Sequence, residues 1–139
     1  MRRMVLIATS LFMVAAAGPQ LHGQTTDTLK KLNAILASSC YSRPVLQLSA
    51  DGTVVRKDAD GGTWTFKLAA IGSTTIDQEL GAHVLLTCKA GEACIERVAA
   101  PGATKTSTNR IAFSINPFEL GDSVLRLFQE LKVSVPRGH

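Results

Sequence analysis

The spacing of apolar side chains changes along the chain from the period of an α-helix to that of a β-strand, and then back again. Leucine and isoleucine recur every three or four residues between about Asp27 and Ser38, which predicts an amphipathic helix. From Val45 onward apolar and polar residues alternate, as in the strands of a half-buried antiparallel sheet. Helical spacing returns after Asn116. The pattern predicts an α+β domain with an N-terminal helix, about seven antiparallel strands in a curved sheet or sandwich, and a C-terminal amphipathic helix.

Turn residues divide the alternating region into strands. Asp51-Gly52 is a tight-turn signal between the first two strands, and the clearest strand is Thr63–Leu68, whose aromatic and aliphatic side chains share one face. The small, Pro- and Gly-bearing stretch from Ala99 to Thr108 predicts a mobile surface loop. The predicted strands span residues 45–49, 53–58, 63–68, 75–80, 83–89, 94–98 and 110–115. The predicted core centres on Trp64, Phe66, Leu68, Val84, Leu86, Ile111, Phe113, Val124, Leu127 and Phe128.

The last helix has a clear start signal in the sequence. Asn116 is suited to the N-cap, Pro117 to the first helical position, and Glu119 to the third position of a capping box. These residues predict that the helix begins directly after Asn116.

Two cysteines six residues apart mark the centre of the chain. His83–Lys89 and Cys94–Val98 are predicted to be paired strands of a hairpin, with Gly91 in the turn. A short loop of this kind would set Cys88 opposite Cys94, close to disulfide distance. The sequence predicts a disulfide; the alternative is two unpaired buried thiols.

The N-terminus has the layout of a secretory signal peptide. A basic start, Met1–Met4, precedes an uncharged apolar run from Val5 to Ala17 that ends in small residues. We predict a signal peptide over residues 1–23, cleaved after Ala17 or near Gly23, followed by a single domain over residues 24–139. The alternative is an uncleaved N-terminal anchor, although the run is shorter than the roughly 20 residues of a membrane span.

Cleavage changes the charge of the protein. The whole chain has 15 Lys+Arg and 11 Asp+Glu, a net charge of +4, and loss of Arg2 and Arg3 would leave 13 against 11. The other basic residues, Lys30-Lys31, Arg56-Lys57 and Arg97, are scattered and typical of solvated surface. A nucleic-acid partner is therefore not predicted.

Export implies an oxidising compartment, in which a Cys88–Cys94 disulfide can persist. Cys40 is then left over. Three interpretations stay open for Cys40: a buried free thiol, an intermolecular bridge, or a reactive group.

Residues for catalysis or metal binding are sparse. A Cys40–His83 pair could in principle form an activated thiolate, but no local motif surrounds Cys40. One histidine and the Cys88–Cys94 pair cannot complete a tetrahedral metal site, and Gly61-Gly62 precedes a strand instead of the helix of a phosphate loop. We predict no catalytic residues, no metal site and no cofactor.

Four motifs carry a resemblance to known proteins: T-x-x-T-L-x-x-L-N from Thr25, L-S-x-D-G from Leu48, W-x-F-x-L from Trp64, and V-L-L-T-C-K-x-G-x-x-C-I from Val84. The chain resembles a family of small exported bacterial proteins without an established function, and the resemblance implies a fold and no activity. The order of strands followed by a helix is also similar to the pleckstrin-homology-like fold. Phosphoinositide-binding members of that fold use a basic loop where this chain has Ala50-Asp51-Gly52, so headgroup binding is not implied.

Surface recognition is the function that remains. We predict a periplasmic or secreted binding module without catalytic activity, whose partner is another exported or envelope protein and whose membrane contact is limited to the signal peptide. The candidate partner surface comprises Thr63, Thr65, Lys67 and Arg97, and an exposed edge strand could also accept a peptide. The alternatives are a carrier of a small apolar ligand or lipid, which needs an apolar cavity, and a thiol-dependent enzyme using Cys40.

Overall fold

The structure is a computed structural model that describes residues 23–78 and 81–135. The predicted signal peptide therefore lies, apart from Gly23, outside the described residues. The elements are α1 (Gly23–Ser39), β1 (Val45–Leu48), β2 (Thr53–Lys57), β3 (Thr63–Lys67), β4 (Ile71–Asp77), β5 (Ala82–Cys88), β6 (Ile95–Val98), β7 (Lys105–Thr108), β8 (Arg110–Ile115) and α2 (Gly121–Ser134). None of the helices in these two ranges has the length and apolar character needed to cross a membrane.

Eight strands of the described chain form two antiparallel sheets. One has five strands in the order β1-β2-β3-β6-β7, and the other has three in the order β4-β5-β8. The predicted α+β class, with a helix at each end of an antiparallel strand region, is confirmed.

Three strands of one sheet are joined by short connections to the three strands of the other. β3 leads into β4 through a 3-10 turn at Leu68–Ala70, and β7 leads into β8 through Asn109. β5 leads into β6 through residues 89–94, which begin with a 3-10 turn at Lys89–Gly91. The spatial order β3-β6-β7 matches the order β4-β5-β8. The two sheets are therefore the halves of one sharply bent three-stranded layer, to which the β1–β2 hairpin is added at one edge. Bends of this kind are how strands pass between packed sheets.

The predicted disulfide between Cys88 and Cys94 is confirmed, with the two Cα atoms 5.9 Å apart. The predicted hairpin is wrong, because β5 pairs with β4 and β8 whereas β6 pairs with β3 and β7. The disulfide lies at the bend of the central strand. The Cys94 sulfur is 3.7 Å from the Ala70 carbonyl oxygen and the Cys88 sulfur is 3.9 Å from that of Thr108, so the bridge touches both neighbouring connections.

Two stretches differ from the predicted strand pattern. The predicted loop at residues 99–108 ends in β7, whose Lys-Thr-Ser-Thr sequence has no apolar alternation and is held by pairing with β6. The predicted strand at 75–80 begins earlier, at Ile71, and its last two residues lie outside the described chain.

Helix α1 begins four residues before the predicted start. Its inward face continues through Thr25 and Thr28, which are buried, before reaching the fully buried Leu32 and Leu36. The prediction relied on aliphatic residues alone and therefore omitted the first turn of the helix, where threonine occupies the inward positions.

The predicted start of the last helix is wrong. The Asn116–Pro117 peptide is cis, and a 3-10 turn at Phe118–Leu120 follows before α2 begins at Gly121. Gly121 packs so close to Ala82 that a Cβ atom at residue 121 would lie 2.8 Å from the Ala82 Cβ. A larger residue would not fit against Ala82, which explains why a glycine lies in the first turn of this helix although glycine lowers helix stability there.

The core lies between the sheets and the two helices. α2 packs against α1, β4 and β5, and the Phe113 and Phe128 rings meet with centroids 4.9 Å apart. Every predicted core residue is buried except Trp64, which is half-buried.

Candidate functional site

The four residues of the predicted partner surface do not share one face. In antiparallel pairing, directly opposite residues lie on the same face of the sheet. Arg97 stands opposite Trp64, whereas Glu96 stands opposite Thr65. Thr63, Thr65 and Lys67 therefore lie together on the outer face of the five-stranded sheet, and Arg97 lies on the inner face beside Trp64, with its guanidinium 4.7 Å from the ring centroid.

Arg56, interpreted from sequence as solvated charge, is buried, with 5 % of its surface exposed. Its Nε atom donates to Asp58 Oδ1 at 2.7 Å, and Nη2 donates to Ser42 Oγ at 2.9 Å. Its Nη1 atom donates to the Ala112 carbonyl oxygen of β8 at 2.7 Å. The guanidinium therefore joins β2 to an edge strand of the other sheet.

Aromatic rings complete the surroundings of this ion pair. The Arg56 guanidinium lies 4.5 Å from the Phe113 centroid and 5.3 Å from that of Trp64. The Trp64 indole N–H donates to Asp58 Oδ2 at 3.2 Å. Because these contacts occupy both charged groups and bury them, we assign the cluster to closure of the fold.

Cys40 and His83 are not brought together. Cys40 is buried and bridges to Ile115 of β8, whereas His83 stands opposite Ser114. Neighbouring residues of a strand point to opposite faces, so the thiol and the imidazole lie on different sides of the sheet. Burial raises the pKa of the Cys40 thiol, and the nearby positive charge of Arg56 offsets this only in part. A thiol in this state is the opposite of an activated thiolate.

A partner strand can pair only with an edge strand, and the edge strands here are β1, β7, β4 and β8. In two of them, β1 and β8, other groups of the protein already bond the outward backbone atoms. On β1, the Asn33 side chain of α1 accepts from the Leu46 N–H at 2.8 Å and donates to the Leu46 carbonyl oxygen at 2.9 Å, as a neighbouring strand would. On β8, the Tyr41 N–H donates to the Ser114 carbonyl oxygen at 3.0 Å, and the Arg56 guanidinium donates to the Ala112 carbonyl oxygen. Both edges are thereby closed to a further strand.

The edge strand β7 is protected in another way. It has four residues, begins with Lys105, and forms an exposed ion pair across to Glu96 at 3.5 Å. Short length and a lysine are common means of discouraging edge-to-edge pairing.

The remaining edge strand, β4, is longer and carries less protection. It has seven residues, Ile-Gly-Ser-Thr-Thr-Ile-Asp, without lysine, arginine or proline. β5 pairs with one side of it, and no strand of the described chain pairs with the other. A register shift lies between Ile71 and Ser73, and Lys132 Nζ donates to the Ile71 carbonyl oxygen. The open part of the edge therefore runs from Ser73 to Ile76.

Within the described ranges, no three His, Cys, Asp or Glu side chains form a group that could hold a metal ion. No protein-family model matches the chain, and no curated protein or solved structure is significantly similar to it. The candidate site is therefore defined by its geometry, which is the open edge of β4.

Proposed function

We propose that the protein is an exported interaction module that binds an extended segment of a partner protein along the edge of β4. The observation that supports the proposal is the difference between the four edge strands. Internal hydrogen bonds seal β1 and β8, and length and charge protect β7, whereas the four residues from Ser73 to Ile76 present one side of their backbone.

Strand addition uses the groups that such an edge offers. Backbone N–H and C=O groups provide affinity, and the side chains beside them provide selectivity. Ser73 and Thr75 point to the outer face, whereas Thr74 and Ile76 stand opposite the buried residues Leu86 and Val84. A partner strand would thus meet small hydroxyl groups on one face and a partly apolar surface on the other. β-Branched residues at alternating positions of the partner fit this surface best.

Export is part of the proposal. The apolar N-terminal run supports it, and so does the Cys88–Cys94 disulfide, because disulfides persist in oxidising compartments. The mass of the protein recovered from the periplasm or medium should correspond to a chain without its first 17 to 23 residues.

A proline pair tests the open edge. In an antiparallel ladder, neighbouring residues direct their N–H groups to opposite sides. One of Thr74→Pro and Thr75→Pro therefore removes a bond to β5 and destabilises the fold, whereas the other removes only an outward donor. The variant that keeps the wild-type unfolding midpoint should lose binding of peptides selected by the wild-type protein from a random peptide library.

The matched control is the same pair of substitutions on β7, Thr106→Pro and Ser107→Pro. The member of that pair that keeps the fold should bind the selected peptides as the wild type does. Bound peptide should also slow hydrogen exchange at β4 amides. Equal binding by the folded β4 variant, with unchanged exchange at β4, would contradict the proposal.

A further inference from the structure

A shallow depression of about 290 Å³ lies at the end of the three-stranded sheet, away from the bend. It forms where β5 begins and β8 ends. Its walls are Gly81, Ala82, His83, Ser114, Ile115, Asn116 and Phe118. Ligand pockets begin at about 300 Å³, so the depression has room for no more than a small ligand, such as a single ring.

Hydrogen-bonding groups converge on this depression. His83 and Ser114 stand opposite each other across β5 and β8, and His83 Nδ1 is 2.9 Å from Ser114 Oγ. This bond orients the imidazole through one nitrogen and leaves Nε2 at the other side of the ring. The Asn116 side chain, which is exposed, adds an amide to the rim.

Two exposed aromatic residues belong to segments next to this end of β8, and one of them lines the depression. Phe118 forms one wall and is 54 % exposed. Tyr41 is 91 % exposed, and its backbone N–H is bonded to the Ser114 carbonyl oxygen. Every other described aromatic ring is at least partly buried, so Phe118 is the exposed aromatic side chain that lines the depression in the described chain. Aromatic rings next to polar groups are typical of binding surfaces.

The chemistry of the lining selects the class of ligand. The seven lining residues include no lysine, arginine, aspartate or glutamate. An anion would therefore meet no lysine or arginine among the lining residues. Imidazole, hydroxyl and amide groups each donate and accept hydrogen bonds. Sugar hydroxyls do the same, and the C–H face of a pyranose can lie against an aromatic ring.

We infer that this depression binds one ring of a neutral carbohydrate, with His83, Ser114 and Asn116 at its hydroxyl groups and Phe118 against its apolar face. The site is separate from the open edge of β4, so it gives the protein a second ligand whether or not a partner strand binds at that edge.

The test is an NMR titration of the ¹⁵N-labelled mature protein with N-acetylglucosamine, maltose and cellobiose, with glucose 6-phosphate as the charged comparison. At least one neutral sugar should shift the amide signals of residues 81–83, 114–116 and 118 in a saturable way, and glucose 6-phosphate should bind more weakly. Phe118→Ala should weaken the binding about tenfold, the upper range for loss of one aromatic contact.

The matched control is Val133→Ala, which removes another exposed apolar side chain, 82 % exposed, from the C-terminal part of α2. It should bind as the wild type does. Ser114→Ala should weaken binding while the signals of the core remain in place. The inference is overturned if none of the neutral sugars produces saturable shifts at these residues, if glucose 6-phosphate binds more tightly than they do, or if Phe118→Ala and Val133→Ala bind equally.

Discussion

Arg56 carries its charge into the space between the two sheets, where Asp58, Ser42 and the Ala112 carbonyl oxygen occupy its three nitrogens. A buried ion pair of this kind adds little net stability over a well-packed apolar pair, because both charges leave water. Removing one partner is different, since the other charge then stays buried without compensation.

We expect Arg56→Met to lower the free energy of unfolding by about 3–5 kcal/mol, because Asp58 is left as an uncompensated buried carboxylate. Urea denaturation measures this difference. Lys57→Met, at the exposed neighbour on the same strand, should change stability by no more than about 0.5 kcal/mol. A loss for Arg56→Met as small as that for Lys57→Met would show that the cluster does not hold the sheets together.

Arg56 and Asn33 have structural roles that the sequence alone did not predict. Arg56 was interpreted from its charge as solvated, although it lies two residues after Val54 on β2 and so shares the buried face of that strand. Its true environment depends on Ala112, 56 residues away. Asn33 likewise gives no sign in α1 that it will act as a strand partner for Leu46. Both roles are fixed by tertiary neighbours that local patterns do not contain.

At the scale of elements, the β1–β2 hairpin depends on the side chain in its turn. The Asp51 carboxylate accepts hydrogen bonds from Ser49 Oγ and, at 3.0 Å, from the Thr53 N–H. The Ser49 hydroxyl and then the Thr53 donors lower the pKa of Asp51 from 3.8 to about 2. A group with a lowered folded-state pKa stabilises the fold above its unfolded pKa, and this contribution is lost as the pH falls through the folded value.

We therefore expect wild type to be more stable than Asp51→Ala above about pH 4, the unfolded pKa of aspartate. The difference should shrink as the pH falls from there toward the folded pKa of about 2. Urea midpoints of the two proteins at a series of pH values measure the effect. A difference that stays constant over this interval would exclude the carboxylate as its source.

Elements were predicted best where one periodicity extends over many residues. The Thr63–Lys67 strand and the body of both helices have such patterns, and the structure contains them. β7 was missed because its four residues are all polar, and the start of α2 was misplaced because a good capping sequence at Asn116 is followed by a 3-10 turn. In both cases tertiary packing and pairing decide over local preference.

At the scale of the whole molecule, the disulfide at the bend links the two sheets. Chain-entropy estimates give about 2 kcal/mol for a loop as short as that between Cys88 and Cys94. Cys88→Ser/Cys94→Ser should lose about this amount in urea denaturation. Reductant should lower the free energy of unfolding of the wild type to that of the double variant, and it should not change the stability of the variant. Equal stability of oxidised and reduced wild type would contradict a role at the bend.

Strand pairing was the part of the fold that the sequence did not reveal. Alternation shows which side chains share a face of a strand, but it does not identify the neighbouring strand. β5 and β6 are adjacent in sequence and contain the two bonded cysteines, which favoured a hairpin. They instead belong to different sheets and are joined across the bend by residues 89–94, and the open edge of β4 becomes visible only when that pairing is known.

The closure of β2 onto β8 has a consequence for the order in which the chain can fold. Synthesis delivers the N-terminal segments first, so the hairpins formed by β1, β2 and β3 can assemble from local contacts. The guanidinium of Arg56 acquires its acceptor on β8 only when residues 110–115 have arrived. A chain that stops at Asn109 lacks the strand that pairs with β5 and completes the Arg56 cluster. Such incomplete chains would expose strand edges and an ion pair that the full protein buries, which makes them ready substrates for chaperones and proteases.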